Sequence, residues 1–479
     1  MRQARLFVNG KWLEGAETFQ VVNPANGQPV AEAHLADASL LDQAVQAAHN
    51  AFHGWSGTVA RKRSQYLNRV KELLLERKNE IAETLSLEQG KPLSEAVGEI
   101  IYSAEFFGWF AEECKRLGGK LIPANRAGQE LRVEPVPVGV VLAITPWNFP
   151  AGMIARKLAP ALAAGCTVVA KPASQTPLTA VKFFEIFEEI GLPAGVANLV
   201  LGSGSTVGNQ LLRDPRVRKV TFTGSTEVGS QIMRLASERI VKVSLELGGH
   251  APFVVMEDAD LAKTVGDLVR IKLRNAGQTC ISPNRIFVHE TVHDRFLELL
   301  TERVAALKIG PYFDKEAAVG PLIDSKAVSR VLGHIDDAVR QGARLVYGGK
   351  KCTEPGLEGG HFMQPAILTG VTREMKIFRE ETFGPVFPII SYRYSDEMIG
   401  LANDSRYGLA AYVYGKDYKL LRNIVEKLEY ATISVNEISI SDLSQAPVGG
   451  IKESGIGREG GREGIEQFTE IKCILTDYS

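Results

Sequence analysis

The spacing of apolar residues divides the chain into two kinds of stretch. Up to about residue 136 most of it runs at helical period. Residues 37–55 carry apolar positions three and four apart, 60–86 form a long amphipathic segment rich in Leu, Lys and Glu, and 94–117 repeat the pattern. Tyr102, Phe106, Phe107 and Phe110 on the last segment read as core rather than as a binding stripe. Ahead of these helices, residues 6–30 read as short strands with turns at Asn9-Gly10 and Asn26-Gly27.

Beyond residue 136, continuous apolar runs of strand length alternate with helical stretches. The runs are 140–145, 167–171, 197–201, 219–223 and 240–245, with a helix expected from near Ala151. Runs without polar alternation suit strands covered on both faces, so a parallel α/β sheet is expected. Such sheets bind ligands beyond the carboxyl ends of their strands. A second α/β region begins near Ala251. It offers a strand at 286–289, helices at 292–307 and 326–341, strands at 366–368 and 386–391, and a helix around 398–403. From Ala446 the chain is Gly-rich, then ends in a strand-like tail at 466–475. It shows no internal repeat and no low-complexity stretch.

Composition narrows the function. A length of 479 residues suggests two to three domains. A net charge of −1 gives no electrostatic case for nucleic acid or an anionic membrane as partner. The longest apolar run, 158–170, is interrupted by Pro160 and too short to span a bilayer. The first residues lack a secretory apolar core. Cysteines at 114, 166, 280, 352 and 473 make neither a disulfide framework nor a metal pattern, so a reducing, cytoplasmic setting is expected.

Among those cysteines, Cys280 stands apart. It follows a Gly-Gln-Thr step in the stretch 271–284, with Arg274 six residues before it. A thiolate there is a candidate nucleophile; a small buried hydrophobe is the alternative. Glu246, between Leu245 and Leu247 at a strand end, is a candidate general base if burial raises its pKa, and otherwise a solvated strand-end glutamate. Asn148, in Thr-Pro-Trp-Asn-Phe-Pro, can donate to a developing oxyanion or serve as a turn residue. The strand–helix junction at Gly224-Ser225 favours a phosphate at the helix N-terminus, but no Gly-x-Gly-x-x-Gly fingerprint occurs. Glu381 and Phe383, in Glu-Thr-Phe-Gly-Pro, offer a carboxylate for ribose hydroxyls and a ring for a flat partner. His289-Glu-Thr-Val-His293 spells a zinc-protease motif. His289 closes a strand and the helix starts only near Val292, so no catalytic metal is expected.

Together these motifs resemble the aldehyde dehydrogenase superfamily over nearly the whole chain. The resemblance runs from Phe7-Val-Asn-Gly-Lys to Ser454-Gly-Ile-Gly-Arg-Glu459, through Pro-Trp-Asn-Phe-Pro, Lys-Pro, Phe-Thr-Gly-Ser, Glu-Leu-Gly-Gly, Gly-Gln-Thr-Cys and Glu-Thr-Phe-Gly-Pro in order. It implies a Rossmann-like cofactor domain (1–118 and 138–248), a catalytic domain (249–450) and a small β oligomerisation arm with a tail (119–137 and 451–479) building a homodimer or homotetramer. It implies attack by Cys280 on the aldehyde, an oxyanion held by Asn148, hydride transfer to a nicotinamide, and thioester hydrolysis by water that Glu246 activates. Trp147, Gly224, Ser225, Leu247, Glu381 and Phe383 are the implied cofactor contacts.

Lys171 and Ser174 match the family segment at the adenosine ribose. NAD-preferring members often carry Glu where Ser174 stands, so NADP or NAD is expected, with NADP accepted. Within the superfamily the likeness is to succinate-semialdehyde dehydrogenases, in which two arginines and a serine bind the far carboxylate. Arg156, Arg274 and Ser441 match them, although the loop 436–447 is one residue longer than in typical members. A second cysteine that some members use for redox switching is Ser282 here. The expected substrate is a small anionic aldehyde. Glutarate semialdehyde, 2-oxoglutarate semialdehyde and a sulfonated aldehyde such as sulfolactaldehyde remain alternatives to succinate semialdehyde. A coenzyme-A-acylating dehydrogenase or a catalytically retired structural protein are the rival classes.

Overall fold

Five parallel strands form the centre of the larger sheet: Val140–Ile144, Thr167–Lys171, Ala197–Leu199, Val217–Thr223 and Lys242–Glu246. Across the sheet they lie fifth, fourth, first, second, third. Every residue of the first two is buried, which accounts for apolar runs without alternation. Helices Pro150–Ala164, Pro177–Glu189, Gly204–Arg213 and Thr226–Ser237 link successive strands. The order reverses between Val140–Ile144 and Val217–Thr223, which opens a crevice at their carboxyl ends. Antiparallel strands extend both edges to eight in all: the hairpin Leu6–Val8 and Lys11–Leu13 on one side, Gly455–Ile456 on the other. The structure is a computed structural model and describes residues 2–439 and 442–479.

The second sheet has seven strands. In spatial order they are Arg344–Tyr347, Ala366–Thr369, Val386–Tyr392, Pro283–His289, Ala251–Val255, Ala410–Tyr414 and Thr432–Val435, all parallel except the first. Helices Leu261–Leu273, His293–Ala305 and Ser325–Arg340 pack on it, and its core is continuous from Phe253 to Ile424. A third, antiparallel sheet pairs Thr469–Asp477 along Gln129–Pro137, and that strand in turn with Lys120–Ile122. It leaves Leu121, Ile471 and Leu475 exposed.

Two expectations are corrected. The single helix over 60–86 is two helices, Ala60–Glu76 and Lys78–Gln89, with Arg77 out of helical geometry between them. The break turns Ile81, Ala82 and Leu85 into the same core as Leu73 and Leu74, while Arg77 pairs with Glu80, Glu185 and Glu189. The tail begins with a short helix, Gly461–Glu466, before the strand.

Candidate active site

The carboxyl ends of the larger sheet deliver the first half of the site. Val140–Ile144 runs into Trp147 and Asn148, Val217–Thr223 into Gly224 and Ser225, and Lys242–Glu246 ends on Glu246 itself. The second half comes from the loops that precede Pro283–His289 and Val386–Tyr392 in the other sheet. Cys280 lies on the first of these loops, and Glu381 and Phe383 on the second. All eight of these residues, with Leu247, Arg156 and Arg274, line one cavity of about 620 Å³ between the sheets.

Cys280 is placed by a strained turn. After helix Leu261–Leu273 the chain passes through Asn275 (φ 51°), Ala276 (φ 54°) and Gly277 (φ 78°) in the left-handed region. Only Gly277 adopts this freely; the two others cost about 1–3 kcal/mol each. Asn275 is gripped on every side. Its amide N–H donates to Glu95 at 2.7 Å, its Oδ1 accepts from Gln89 at 2.7 Å, and its Nδ2 donates to the Asn148 carbonyl at 3.0 Å. The Gly248-Gly249 step after Glu246 is explained here too, because a Cβ on Gly249 would stand 1.9 Å from the Cys280 carbonyl oxygen.

The Cys280 thiol reaches the cavity but is ringed by protein. Burial first, then the Glu381 carboxylate, pushes it up to about 12. Nearby Arg156 pulls the other way. The resting thiol is therefore protonated near neutrality, and attack needs a base. Burial, followed by the Glu459 carboxylate, raises Glu246 well above the usual carboxylate range. A carboxylate so raised is a strong base once it has lost its proton. Behind it, Lys157 donates to Glu459 and to the Thr223 hydroxyl, the latter at 2.6 Å.

Asn148 donates its Nδ2 to the Gln278 carbonyl at 2.9 Å, and that acceptor fixes which atom is nitrogen. One N–H remains to serve an oxyanion. The buried Oδ1 has no hydrogen-bond partner among the described residues. The Asn148 backbone is held by Lys91, whose Nζ donates to its carbonyl at 2.8 Å and to Glu99 at 2.6 Å. Glu99 in turn accepts the amides of Ala151 and Gly152 at 2.9 and 3.1 Å, capping the helix that follows Asn148.

In the wall of the same cavity the two arginines are preset by aromatic faces. Arg156 lies over Tyr102 and Phe106, 5.3 and 5.2 Å from the ring centres, and donates to the Tyr102 hydroxyl. Arg274 lies over Phe149 at 4.9 Å. Its Nη1 also holds both oxygens of Asp442, at 2.9 and 3.2 Å. Ser441 lies outside the described residues.

Lys171 and Ser174 do not line the cavity; they lie further along the carboxyl edge of the larger sheet, beyond Thr167–Lys171. Burial lowers Lys171 to about 8, and no carboxylate pairs with it among the described residues. The Ser174 hydroxyl donates to the Gly202 carbonyl at 2.9 Å. A buried amine lacking a counter-ion, beside a helix N-terminus at Gly204, fits a phosphate-bearing ligand. Towards the cavity, Phe383 meets Trp147 edge-on at 5.7 Å. Glu381, raised to about 7 by burial, accepts the Gly249 amide at 3.1 Å. These groups suit a dinucleotide lying from the Lys171 edge to Cys280.

His289 ends its strand and His293 begins the helix after a short turn. Their rings bond Thr291 and Thr369 respectively. Sequence reading missed Tyr102, Lys157, Glu459, Asp442 and the Lys91–Glu99 pair. Glu459 lies in a motif that carried the resemblance, and Tyr102 was assigned to the core; nothing local marked the others.

Residues 12–474 match the aldehyde dehydrogenase family. The chain is 48% identical over 471 residues to the NADP(+) succinate-semialdehyde dehydrogenase of Escherichia coli strain K12, covering 98% of this chain and 97% of that protein. It is 46% identical over 481 residues to the glutarate-semialdehyde dehydrogenase of Pseudomonas putida, covering 99% of each. A crystal structure of an E. coli NADP-dependent enzyme superposes with a TM-score of 0.96 at 46% identity, over 99% of this chain and 98% of that one.

Proposed function

The chain belongs to the aldehyde dehydrogenase family, and from that premise we propose that it oxidises a small aldehyde bearing a distal anion, with succinate semialdehyde the first candidate. The observation that carries this reading is the pair of guanidiniums, Arg156 and Arg274, in the wall of the cavity that holds Cys280. Two aromatic-backed guanidiniums favour a carboxylate and penalise a neutral tail, which would leave them desolvated. The names of the two relatives, both semialdehyde dehydrogenases, support the same substrate class.

In this reading the Cys280 sulfur bonds the aldehyde carbon and its proton passes to Glu246. The carbonyl oxygen becomes an oxyanion that Asn148 and the Cys280 amide stabilise. NADP or NAD, bordered by Gly224, Trp147 and Phe383, would supply the hydride acceptor that takes this carbon to the level of a thioester on Cys280, and Glu246 releases the thiol proton to solvent before deacylation. Glu246 then takes a proton from water, the hydroxide attacks the thioester, and the carboxylic acid departs as Cys280 regains its proton. Lys171, with neutral Ser174 beside it, suits a 2′-phosphate, so NADP is accepted. Gly224, Ser225, Leu247, Trp147, Glu381 and Phe383 border the nicotinamide half.

Among the described residues no helix is long and apolar enough to cross a membrane; we place the protein in the cytoplasm. The larger sheet forms the cofactor domain and the second sheet the catalytic domain. The exposed apolar side chains on the third sheet support its use in a homodimer or homotetramer.

The test is initial rates with succinate semialdehyde, glutarate semialdehyde, a sulfonated aldehyde, butanal and benzaldehyde, each with NAD and NADP. Anionic aldehydes should win by tenfold or more in kcat/KM. If the neutral aldehydes win, the arginines are structural and the reading fails.

A further inference from the structure

The loop that carries Cys280 runs from the end of helix Leu261–Leu273 to the start of strand Pro283–His289. The grips on Asn275 fix it near its beginning. A separate contact ties its two ends to each other: Lys272 Nζ donates to Asn284 Oδ1 at 2.7 Å. Lys272 is the last residue but one of the helix, and Asn284 is the second of the strand. Both side chains are fully buried. Among the described residues Lys272 has no other hydrogen-bond partner and no carboxylate in contact, and Asn284 Nδ2 has no partner. Each side chain therefore has the cost of its burial offset by the other.

The strand is irregular at the same place. Ala251 pairs with Pro283 and Pro252 with Arg285, so Asn284 has no residue opposite it. Such a bulge re-aims the side chain it carries, and bulges gather beside active sites. Here Asn284 meets the carboxyl end of the helix, where the helix dipole favours a cation. Burial lowers the Lys272 amine to about 7, with Glu381 acting the other way. An amine donates in either charge state, so the bond does not depend on that proton.

We propose that Lys272 is a positioning residue for Cys280: its bond to the bulged Asn284 clamps the two ends of the Cys280 loop together and so sets where the sulfur stands against Glu246 and Asn148. This rests on the reading above that Cys280 is the nucleophile. An apolar pair would fill the same space without burying an amine, but would leave the ends of the loop free to slip. Misplacing a reacting group by about 1 Å costs about a hundredfold in rate, so a contact that never touches substrate governs turnover.

Three variants test it. Lys272→Met and Asn284→Leu each remove one side of the bond at nearly constant volume, and Asn284→Asp keeps the acceptor. The measurements are kcat and KM with the best aldehyde of the panel above, NADPH affinity by fluorescence, and the rate of Cys280 alkylation by iodoacetamide, followed by peptide mass. Lys272→Met and Asn284→Leu should each lower kcat about tenfold or more. KM and NADPH affinity should stay within about twofold. Cys280 should alkylate at least as fast as in the wild type, because the thiol is displaced but not deactivated. The double variant should be no slower than the slower single, since both act through one bond. Asn284→Asp should restore most of what Asn284→Leu loses. Unchanged kcat in Lys272→Met and Asn284→Leu overturns the proposal even where urea unfolding shows lower stability, because the contact is then structural only. A rise in KM at constant kcat overturns it too, as does a folded Asn284→Asp with no recovery. A fall in alkylation in step with kcat also overturns it, since Lys272 would then act on the ionisation of the thiol and not on its place. If both apolar variants fail to fold, Asn284→Ser, which withdraws the acceptor and leaves a small polar side chain, is read in the same way. Cys280→Ala separates the two readings. If it retains turnover, the role of Cys280 falls and the inference with it; an inactive Cys280→Ala beside a fully active Lys272→Met sinks the inference alone.

Discussion

The Lys91–Glu99 pair gives the most exacting test of how the site is held. Both side chains are buried to within a hundredth of full coverage and stand 2.6 Å apart. Lys91 also holds the Asn148 carbonyl, and Glu99 also caps the helix that starts two residues after Asn148. Removing one member leaves the other charge buried and uncompensated, a change that costs about 3–5 kcal/mol. The two single variants should not be equal. In Lys91→Met, Glu99 still has two backbone amides and a helix N-terminus to stabilise its charge. In Glu99→Gln, Lys91 keeps the carbonyl, the Phe149 ring and the more remote charge of Glu95, but no ion-pair partner in contact. Burial already lowers the Lys91 pKa, so it escapes part of the cost by releasing its proton. Lys91→Met should therefore lose about 3 kcal/mol and Glu99→Gln about 4, each with a fall in kcat as Asn148 drifts. The double variant should lose at least about 2 kcal/mol less than the sum, because the lone buried charge is gone. Urea unfolding of the four proteins, with kcat alongside, measures this. Additivity within about 0.5 kcal/mol would refute the coupling. Unchanged kcat in both singles would refute the link to Asn148.

Other consequences are as direct. Glu246→Gln should slow the pre-steady-state burst of reduced cofactor but slow the steady state more, by about a hundredfold or more; an unchanged ratio of burst to steady-state rate would remove Glu246 from hydrolysis. Because Glu246 is raised well above the usual carboxylate range and acts only when deprotonated, the deacylation rate should climb as pH rises through that raised pKa. A rate flat from pH 5 upward would contradict it. Gly277→Ala puts a Cβ 2.3 Å from the Gly384 carbonyl oxygen at φ 78°; about 1–3 kcal/mol of stability should go, together with kcat, by urea midpoint and initial rates. Lys171→Met should raise the NADP Michaelis constant about tenfold or more and leave NAD nearly unchanged, whereas equal effects would take Lys171 off the phosphate. Mild peroxide should produce no disulfide at Cys280, since position 282 is serine; a Cys280 disulfide in a peptide map would overturn that.

How much was legible depended on whether the signal was local. The apolar runs at 140–145 and 167–171 announced buried parallel strands because such strands have no solvent face to break the run. Cys280, Glu246 and Asn148 stood out because each sits in a rigid, Gly- or Pro-marked context at a strand end or loop. By contrast, Lys91 looks like an ordinary charge in a Gly-Lys-Pro turn, and Glu99 like one on the amphipathic helix that follows it. Only the fold brings that helix under Asn148 and empties its surroundings of water. Asp442 is likewise invisible in sequence, since its meaning comes from Arg274, 168 residues away. The break at Arg77 was hidden because both helices share one amphipathic composition.

The site is best understood as a property of the seam between the two sheets. Asn148 and Glu246 end strands of one sheet, and Cys280 precedes a strand of the other. Neither half alone would fix Cys280 against Glu246 and Asn148. The seam is latched by short contacts: Asn148 to the Gln278 carbonyl, Glu381 to the Gly249 amide, and Gly249 against the Cys280 carbonyl. The left-handed strain at Asn275 and Ala276 is then intelligible. A relaxed turn after helix Leu261–Leu273 would carry Cys280 past the strand ends. The strained one brings it back, and its cost is offset by the hydrogen bonds that Gln89, Glu95 and Asn148 make to Asn275. Two of those partners come from the amino-terminal helical region, so residues that never touch the cavity hold Cys280 in place. It follows that a substitution at Gln89 should weaken catalysis through the turn rather than through substrate affinity, lowering kcat while KM stays put.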